Sequence, residues 1–313
     1  MSRRLTALNT LLRLIARPRL SHVRDPQEAR RDFARTARLV FRAPPYSLWL
    51  PGAVRGEAEG APEIPGLWIS CGPVRQRHVI LYLHGGGYTT GSPDTHRGML
   101  ARLSKLSGLR VFAPDYRLAP EHPAPAALED AQAAWDGLVA LGYEPERIVL
   151  AGDSAGGGLA FALLARLCAA GTPPALAIGL APWVDLAGGG ASLAENAGRD
   201  ALLPAARFED LVRLYAGTLP RNDVRLSPLY ADFPDPPPVL LQVSESEILR
   251  DDTLRLEARL RDFGAEVTLQ TWPDAPHVFQ IFDGWVPEAR DALEGAAAEI
   301  RRRLAEIAPA DQG

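Results

Sequence analysis

The sequence predicts an α/β protein with a mostly parallel central sheet and helices on both faces of that sheet. Six short runs of apolar, often β-branched residues are spread along the chain, and helical stretches separate most of them. Each run is nearly continuous in apolar character, as expected of strands that are buried on both faces. The 313 residues are 47% hydrophobic and 23% charged, which excludes a disordered chain and a collagen-like chain.

The predicted strands and helices alternate from residue 78 onward. The strands are His78–Leu83, Leu109–Ala113, Arg147–Ala151, Leu176–Leu180, Val239–Val243 and Val267–Thr271. The helices are Thr95–Leu106, Ala124–Leu141, Ala155–Ala169, Thr253–Phe263 and Pro287–Ile307. Because ligands of such sheets bind at the carboxyl ends of the strands, we expect the functional residues in the loops that follow them.

Two segments lie outside this alternation. Residues 1–45 precede the first predicted strand, and residues 186–225 interrupt the pattern after Leu176–Leu180. The size of the second segment, residues 186–225, and its place near strand ends predict a lid over a site. A surface insertion without function is the alternative.

The first 43 residues carry an excess of positive charge. They hold 11 arginines and three acidic residues, a net charge of +8 in a chain whose total is −4. Such an arm is compatible with nucleic acid or an anionic membrane, but Leu11, Leu14 and Ile15 recur at near-helical spacing, which favours helices packed on the protein body. Since no run of 18 apolar residues occurs, and Arg13 and Arg17 interrupt the N-terminal apolar stretch, we expect neither stable membrane insertion nor an export signal.

The cysteine and lysine content argues against several kinds of functional site. Cys71 and Cys168 stand 97 positions apart, which fits neither a metal knuckle nor a disulfide framework and indicates reduced thiols in a cytoplasmic protein. Lys105 is the single lysine and a poor basis for Schiff-base catalysis. We therefore expect no metal, no cofactor and no nucleic-acid partner.

The clearest motif is Gly152-Asp153-Ser154-Ala155-Gly156, which joins a predicted strand to a predicted helix. In this setting it predicts a nucleophile elbow, with a serine hydroxyl exposed at a helix N-terminus. A second motif, His84-Gly85-Gly86-Gly87-Tyr88, directly follows a predicted strand. Its backbone N–H groups, with that of Ala155, are suited to stabilise the oxyanion that a serine nucleophile creates, and His84 is expected to brace the loop.

A serine hydroxyl needs a general base, and the base needs an acid that orients it. His277 is the best placed of the six histidines because it follows the last predicted strand. The acid is expected after the preceding strand, where four carboxylates are available: Glu245, Glu247, Asp251 and Asp252. Spacing alone does not choose among them, although the two aspartates look like N-terminal charges of the next helix.

Together these motifs resemble the hormone-sensitive-lipase-like family of α/β-hydrolases, in particular its bacterial carboxylesterases. The resemblance covers residues 45–305 and includes three further stretches: Asp115–Ala127, Ser227-Pro228-Leu229 and His277-Val278-Phe279. It implies an α/β-hydrolase fold with a helical cap. The implied parts are N-terminal cap helices in residues 1–45, a core in residues 46–185 and 226–313, and a cap insertion in residues 186–225.

The same resemblance assigns roles to single residues. Ser154 would be the nucleophile and His277 the general base. Gly86, Gly87 and Ala155 would donate hydrogen bonds to the oxyanion.

The acid departs from the family pattern, which is Asp-Pro-Leu-x-Asp. The stretch Glu247-Ile248-Leu249-Arg250-Asp251 falls on this pattern without a gap, so Glu247 replaces the usual aspartate and Glu245 is the second choice. Tyr88, Trp183 and Phe279 are apolar residues beside the motifs, and we expect them to bind the substrate, with core packing as the alternative for Trp183.

The implied function is hydrolysis of short- to medium-chain carboxylic esters, about C2 to C8, through an acyl-enzyme intermediate. A small ester is thus the expected partner, and a homodimer is an assembly that the sequence allows. An amide or lactone hydrolase, or an acyltransferase, would use the same triad. A non-catalytic ligand-binding module is the alternative from a different class.

Overall fold

A computed structural model describes residues 1–307, in which eight strands form one sheet. The strands are β1 (Ser47–Arg55), β2 (Glu63–Cys71), β3 (Arg75–Leu83), β4 (Leu109–Pro114), β5 (Ile148–Asp153), β6 (Leu176–Leu180), β7 (Val239–Ser244) and β8 (Val267–Trp272). Their order across the sheet is β1-β2-β4-β3-β5-β6-β7-β8. The β1–β2 and β2–β4 pairs are antiparallel and all other pairs are parallel, which confirms the predicted α/β class.

The helices follow the predicted alternation. They are α1 (Arg3–Leu11), α2 (Arg17–His22), α3 (Pro26–Val40), α4 (Pro93–Ser107), α5 (Ala126–Ala140), α6 (Ser154–Ala169), α7 (Ser192–Glu195), α8 (Phe208–Ala216), α9 (Arg250–Asp262) and α10 (Pro287–Ile307). A π-helical turn over Leu12–Ala16 joins α1 to α2. Every predicted strand and core helix is present, with ends displaced by three residues at most.

Strands β1 and β2 were not predicted from the sequence. Each contains a Pro-Gly pair, Pro51-Gly52 in β1 and Pro65-Gly66 in β2, and both residue types are depleted in strands. The close approach of a neighbouring backbone explains one of these glycines: a Cβ atom on Gly66 would lie 2.4 Å from the carbonyl oxygen of Ala113. Tertiary packing therefore overrides local propensity in this part of the sheet.

Side chains of the central strands alternate between two hydrophobic clusters, one on each face of the sheet. On β3, Val79, Leu81 and Leu83 belong to the cluster that includes residues of α5, α6 and α9. Ile80 and Tyr82 belong to the cluster that includes residues of α4 and α10. The core is thus divided by the sheet, and loops at the strand ends remain available for a site.

Helix α4 runs from the carboxyl edge of the sheet toward its opposite edge. It begins just after the glycine loop with a capping box formed by Ser92 and Thr95, and it ends at Gly108, which is in the left-handed conformation. Lys105 lies exposed in the last turn of this helix. The lysine is therefore at the far end of α4 from the loop that follows β3.

The two segments outside the alternation are mainly helical or loop in structure. Helices α1, α2 and α3 precede β1, while α7 and α8 lie within residues 186–225. Within residues 1–307, no helix is long and apolar enough to cross a membrane. Cys71 and Cys168 are buried free thiols. The end of the predicted segment 226–313, residues 308–313, lies outside the described residues.

Candidate active site

Ser154 lies in a sharp turn between β5 and α6. Its φ angle is +51°, a left-handed conformation that is strained for a residue with a Cβ atom. The turn brings the following backbone close to β3: a Cβ atom on Gly156 would lie 2.2 Å from the carbonyl oxygen of Leu83. Only glycine fits at this position, as the predicted elbow requires.

Asp153 ties the turn to the glycine loop. Its buried carboxylate accepts hydrogen bonds from the hydroxyl of Tyr82 (2.9 Å) and the backbone N–H of Gly85 (3.0 Å), and it lies 3.3 Å from Nε2 of His96. Burial alone would raise the pKa of Asp153, but His96 and Tyr82 outweigh it and the pKa is lowered. An ionised carboxylate thus fixes the loop beside the serine.

The glycine loop presents unpaired backbone donors. Gly86 has a φ angle of +131°, and a Cβ atom there would lie 2.3 Å from the carbonyl oxygen of Thr90. Within residues 1–307, the N–H groups of Gly86 and Gly87 donate no hydrogen bond. The N–H of Ala155 is in the first turn of α6, where a helix offers no internal acceptor. All three groups are available to a ligand.

His84 braces the loop, as predicted. Its ring stacks on Tyr116 at a centroid distance of 4.3 Å, and the hydroxyl of Tyr116 donates to the His84 carbonyl oxygen at 2.5 Å. Complete burial, aided by the nearby His96, lowers the pKa of His84 to about 3. The imidazole is therefore neutral and serves the loop structurally.

His277 and Glu247 form a buried pair. His277 follows β8 and Glu247 follows β7, and Nδ1 of the imidazole lies 2.5 Å from Oε2 of the carboxylate. The other carboxylate oxygen accepts the backbone N–H of Ser244 at 2.9 Å. Asn9 of α1 donates to the carbonyl oxygen of Asp274 (2.8 Å), so the N-terminal helix contacts the loop that carries His277.

The charges around this pair favour a protonated imidazole. Burial alone would lower the pKa of His277, but Glu247 outweighs it, Asp200 and Asp153 add to its effect, and the pKa is raised. Burial raises the pKa of Glu247, and the adjoining imidazole opposes that rise. The arrangement is therefore suited to accept a proton on His277 and stabilise the resulting charge.

The strand order places the nucleophile and the pair at the same edge of the sheet. Ser154 follows β5, Glu247 follows β7 and His277 follows β8, all at carboxyl ends of parallel strands. Nε2 of His277 is buried and has no hydrogen-bond partner in the described chain, so the Ser154 hydroxyl is not bonded to it. Such bonds are often long in ligand-free sites and tighten when substrate binds.

The other carboxylates considered for the acid lie elsewhere. The backbone N–H of Glu245 donates to the Trp272 carbonyl oxygen at 2.8 Å, and the Glu245 carbonyl oxygen accepts the side-chain amide of Asn196 at 3.0 Å. Asp251 and Asp252 lie in the first turn of α9, as predicted. Asp252 accepts the N–H groups of Val184 and Asp185, both at 2.9 Å, and burial raises its pKa to about 7.

Two of the three residues expected to bind substrate lie together. Tyr88 stacks on Tyr215 with a centroid distance of 3.6 Å, and its ring is 5.8 Å from that of Trp183. The backbone N–H of Trp183 donates to the Ser154 carbonyl oxygen at 2.9 Å. All three side chains are buried, but Phe279 belongs to the cluster on the opposite face of the sheet, where it packs on Trp272 at 4.8 Å. The structure therefore does not place it with the other two.

Sequence reasoning missed two buried residues in the insertion. Asn196 and Asp200 bond to the loop that carries Glu247, through the Glu247 carbonyl oxygen (2.8 Å) and the Ile248 N–H (3.0 Å) respectively. They belong to no local catalytic motif. Their spacing of four residues, shared with Ser192, is the one sequence signal that groups them.

The geometry as a whole suits acyl transfer. It combines a serine at a helix N-terminus, a buried imidazole backed by a carboxylate, and three backbone donors beside the serine. These are the parts that covalent catalysis on a carbonyl carbon requires.

Comparisons with known proteins agree with this geometry. Residues 80–281 match the family model described as the alpha/beta hydrolase fold. The chain is 43% identical to the acetyl-hydrolase of Streptomyces hygroscopicus, covering 76% of this chain and 80% of that protein. It is 38% identical to the esterase LipU of Mycobacterium tuberculosis, covering 72% and 78%. A solved esterase of the bacterial hormone-sensitive lipase family superimposes with a TM-score of 0.89 at 36% identity, covering 97% of this chain and 99% of that one.

Proposed function

This chain belongs to the hormone-sensitive-lipase-like branch of the α/β-hydrolase family and is a serine carboxylesterase, and from that premise we propose which residues carry the reaction. Ser154 is the nucleophile, His277 the general base and Glu247 the acid that orients the imidazole. Gly86, Gly87 and Ala155 supply the oxyanion donors. The observation that carries the proposal is the 2.5 Å contact between His277 and Glu247 at the sheet edge where Ser154 lies.

The mechanism follows from these assignments. Nε2 of His277 takes the Ser154 proton as Oγ attacks the ester carbonyl carbon, and the carbonyl oxygen becomes an oxyanion held by the three N–H groups. Collapse of this intermediate breaks the bond to the alcohol, which leaves with the proton from His277. Water, deprotonated by His277, then attacks the acyl-enzyme and releases the carboxylic acid together with free Ser154.

We further propose that the esters have short to medium acyl chains. The acetyl-hydrolase named above acts, by its name, on acetyl groups. Tyr88 belongs to the glycine loop and the Trp183 backbone contacts Ser154, and we assign both buried side chains to substrate binding. Substrate binding by Phe279 stays a sequence prediction, which we do not include in the proposal because Phe279 packs on Trp272 in the other hydrophobic cluster. Residues 1–45 and 186–225 are proposed as the cap that limits the pocket.

Location and assembly are also proposals. Two buried free thiols support a cytoplasmic protein, and fractionation of the producing cells tests that location. A homodimer is the assembly that we propose to test by light scattering of the purified protein. Neither property enters the mechanism above.

The test of the proposed function is hydrolysis of p-nitrophenyl esters from C2 to C16 by the wild type and Ser154→Ala. We expect an optimum between about C2 and C8 for the wild type and a loss of about 10⁴-fold or more in turnover for the variant. Ser107→Ala, at the far end of α4, is the matched control and should keep full activity. Near wild-type turnover by Ser154→Ala refutes the nucleophile, and an optimum at C16 refutes the chain-length proposal.

A further inference from the structure

A short segment of the insertion lies directly against the loop that carries Glu247. Ser192, Asn196 and Asp200 recur every four residues along this segment, and all three are buried. The segment is α7 and the turn after it, in which the N–H of Asp200 donates to the Asn196 carbonyl oxygen at 2.9 Å. We call residues 192–200 the insertion clamp.

The clamp holds backbone groups on both sides of Glu247. Nδ2 of Asn196 donates to the carbonyl oxygens of Glu245 (3.0 Å) and Glu247 (2.8 Å). Oδ2 of Asp200 accepts the N–H of Ile248 at 3.0 Å. These bonds join the insertion to Glu247 and to the next residue, Ile248.

Ser192 extends the same contact toward α9. Its hydroxyl donates to the carbonyl oxygen of Ile248 at 2.8 Å and accepts the N–H of Asp251 at 3.0 Å. The carboxylate of Asp251 in turn accepts the N–H of Ser192 at 2.9 Å. The clamp thus fixes the loop from Glu245 to the start of α9.

Asp200 brings a buried negative charge without a cation. Its carboxylate accepts the N–H groups of Leu202 (2.9 Å), Leu203 (2.8 Å) and Ile248, and in the described chain it pairs with no lysine, arginine or histidine. A buried carboxylate without a cation is costly, so a neutral acceptor would serve a packing role better. Three backbone N–H groups stabilise this carboxylate, and one of them, that of Ile248, places it beside the residue that follows Glu247.

We propose that Asn196 and Asp200 are positioning residues for ester hydrolysis: Asn196 fixes the backbone of Glu247, and Asp200 places a second negative charge behind the His277–Glu247 pair. The inference deepens the proposed function and rests on the assignment of Glu247. The charged side chains that act on the imidazole come from three elements: Glu247 after β7, Asp200 in the insertion and Asp153 after β5. Asp274, in the loop that carries His277, lies 3.6 Å from Arg13, and the arginine offsets its charge.

The test compares Asp200→Asn with Asp210→Asn, using p-nitrophenyl acetate. Both changes remove one acidic group from the insertion, but the half-buried Asp210 pairs with three arginines, Arg24, Arg207 and Arg213. For Asp200→Asn we expect kcat to fall about 3- to 10-fold, KM to change less than twofold, and the acid limb of kcat/KM to move to lower pH by about half a unit. Asp210→Asn should leave all three unchanged.

A double-mutant cycle with Glu247→Gln shows whether Asp200 acts through Glu247. In the Glu247→Gln background, Asp200→Asn should lose most of its effect on kcat, because both changes then act on the positioning of the same carboxylate. An Asp200→Asn enzyme with an unmoved acid limb, or with an equal effect in both backgrounds, overturns the proposal. If Glu247→Gln itself keeps wild-type turnover, the assignment of Glu247 fails instead, and the two failures are distinguished.

Asn196→Ala keeps the test decisive if Asp200→Asn does not fold. We expect kcat to fall about 10-fold with little change of the acid limb, since Asn196 carries no charge. Asn196→Asp restores the size of the side chain but not its N–H donors, so it should not rescue the rate. Unchanged kcat in Asn196→Ala overturns the positioning role.

Discussion

The two halves of the active site are built in different ways. The serine turn and the glycine loop are fixed by close backbone contacts, where Gly156 leaves no room for a side chain, and by the buried carboxylate of Asp153 between them. The loops of Glu247 and His277 are instead held from outside, by side chains such as Asn196 of the insertion and Asn9 of α1. Replacing a glycine in the first half should therefore destabilise the protein, whereas a change in the loops of the second half should first impair catalysis.

We expect the largest effect from a substitution in the second half, the loops of Glu247 and His277. Glu247→Gln keeps the size of the side chain but removes the charge that orients and stabilises the imidazole, so kcat for p-nitrophenyl acetate should fall about 10⁴-fold with little change in Tm. Glu245→Gln, two residues away, is the control and should remain within about twofold of the wild type. The reverse ranking of these two variants would move the acid to Glu245.

Gly156→Ala tests the first half. The added methyl group would meet the carbonyl oxygens of Leu83 and His84 at 2.2 and 2.3 Å, so the turn cannot keep its shape. We expect the free energy of unfolding, measured with urea, to drop by about 3 kcal/mol or more. Gly198→Ala in the insertion has no heavy atom near the added methyl group and should be neutral. A stable, active Gly156→Ala enzyme would remove the contrast between the halves.

Asp153→Asn tests the connection within the first half. One of the three partners, Tyr82, Gly85 or His96, loses its bond to an oxygen when an amide replaces the carboxylate. We expect kcat/KM to fall about 10-fold and stability to fall by about 1–3 kcal/mol. Asp94→Asn, whose carboxylate is exposed and pairs with Arg97, should change neither. Wild-type kinetics in Asp153→Asn would show that the loop holds its position without this anchor.

The smallest expected effect is on the pH profile. The base must be neutral to act, and Glu247 outweighs burial in raising the pKa of His277. As the pH is lowered, the rate should therefore begin to decline at a pH above the ordinary histidine pKa of about 6.5. Glu247→Gln should move this limb to lower pH. A limb below 6 in the wild type would contradict the arrangement of charges.

The first half could be predicted from the sequence and much of the second could not. Requirements for glycine are local, so the residues around Ser154 and the loop after His84 appear as contiguous motifs. His277 was found from strand order alone. The choice of Glu247 over Glu245 needed the family resemblance, because both carboxylates follow β7 and side-chain direction is set by tertiary contacts.

The contacts that hold the acid loop left almost no trace in the sequence. Asn196 and Asp200 act on backbone groups about 50 residues away, so no short pattern links them to Glu247. Strands β1 and β2 escaped prediction for a related reason, since Gly66 fits a neighbouring backbone rather than a strand propensity. Prediction from local sequence fails where contacts between distant parts of the chain determine the structure.

The single lysine has a practical consequence. Lys105 is exposed at the end of a helix about 22 Å long that starts beside the glycine loop. It is the single side-chain amine of the sequence at which an amine-reactive resin or dye can attach. Coupling above neutral pH would tether the enzyme at the end of α4 that lies away from the glycine loop.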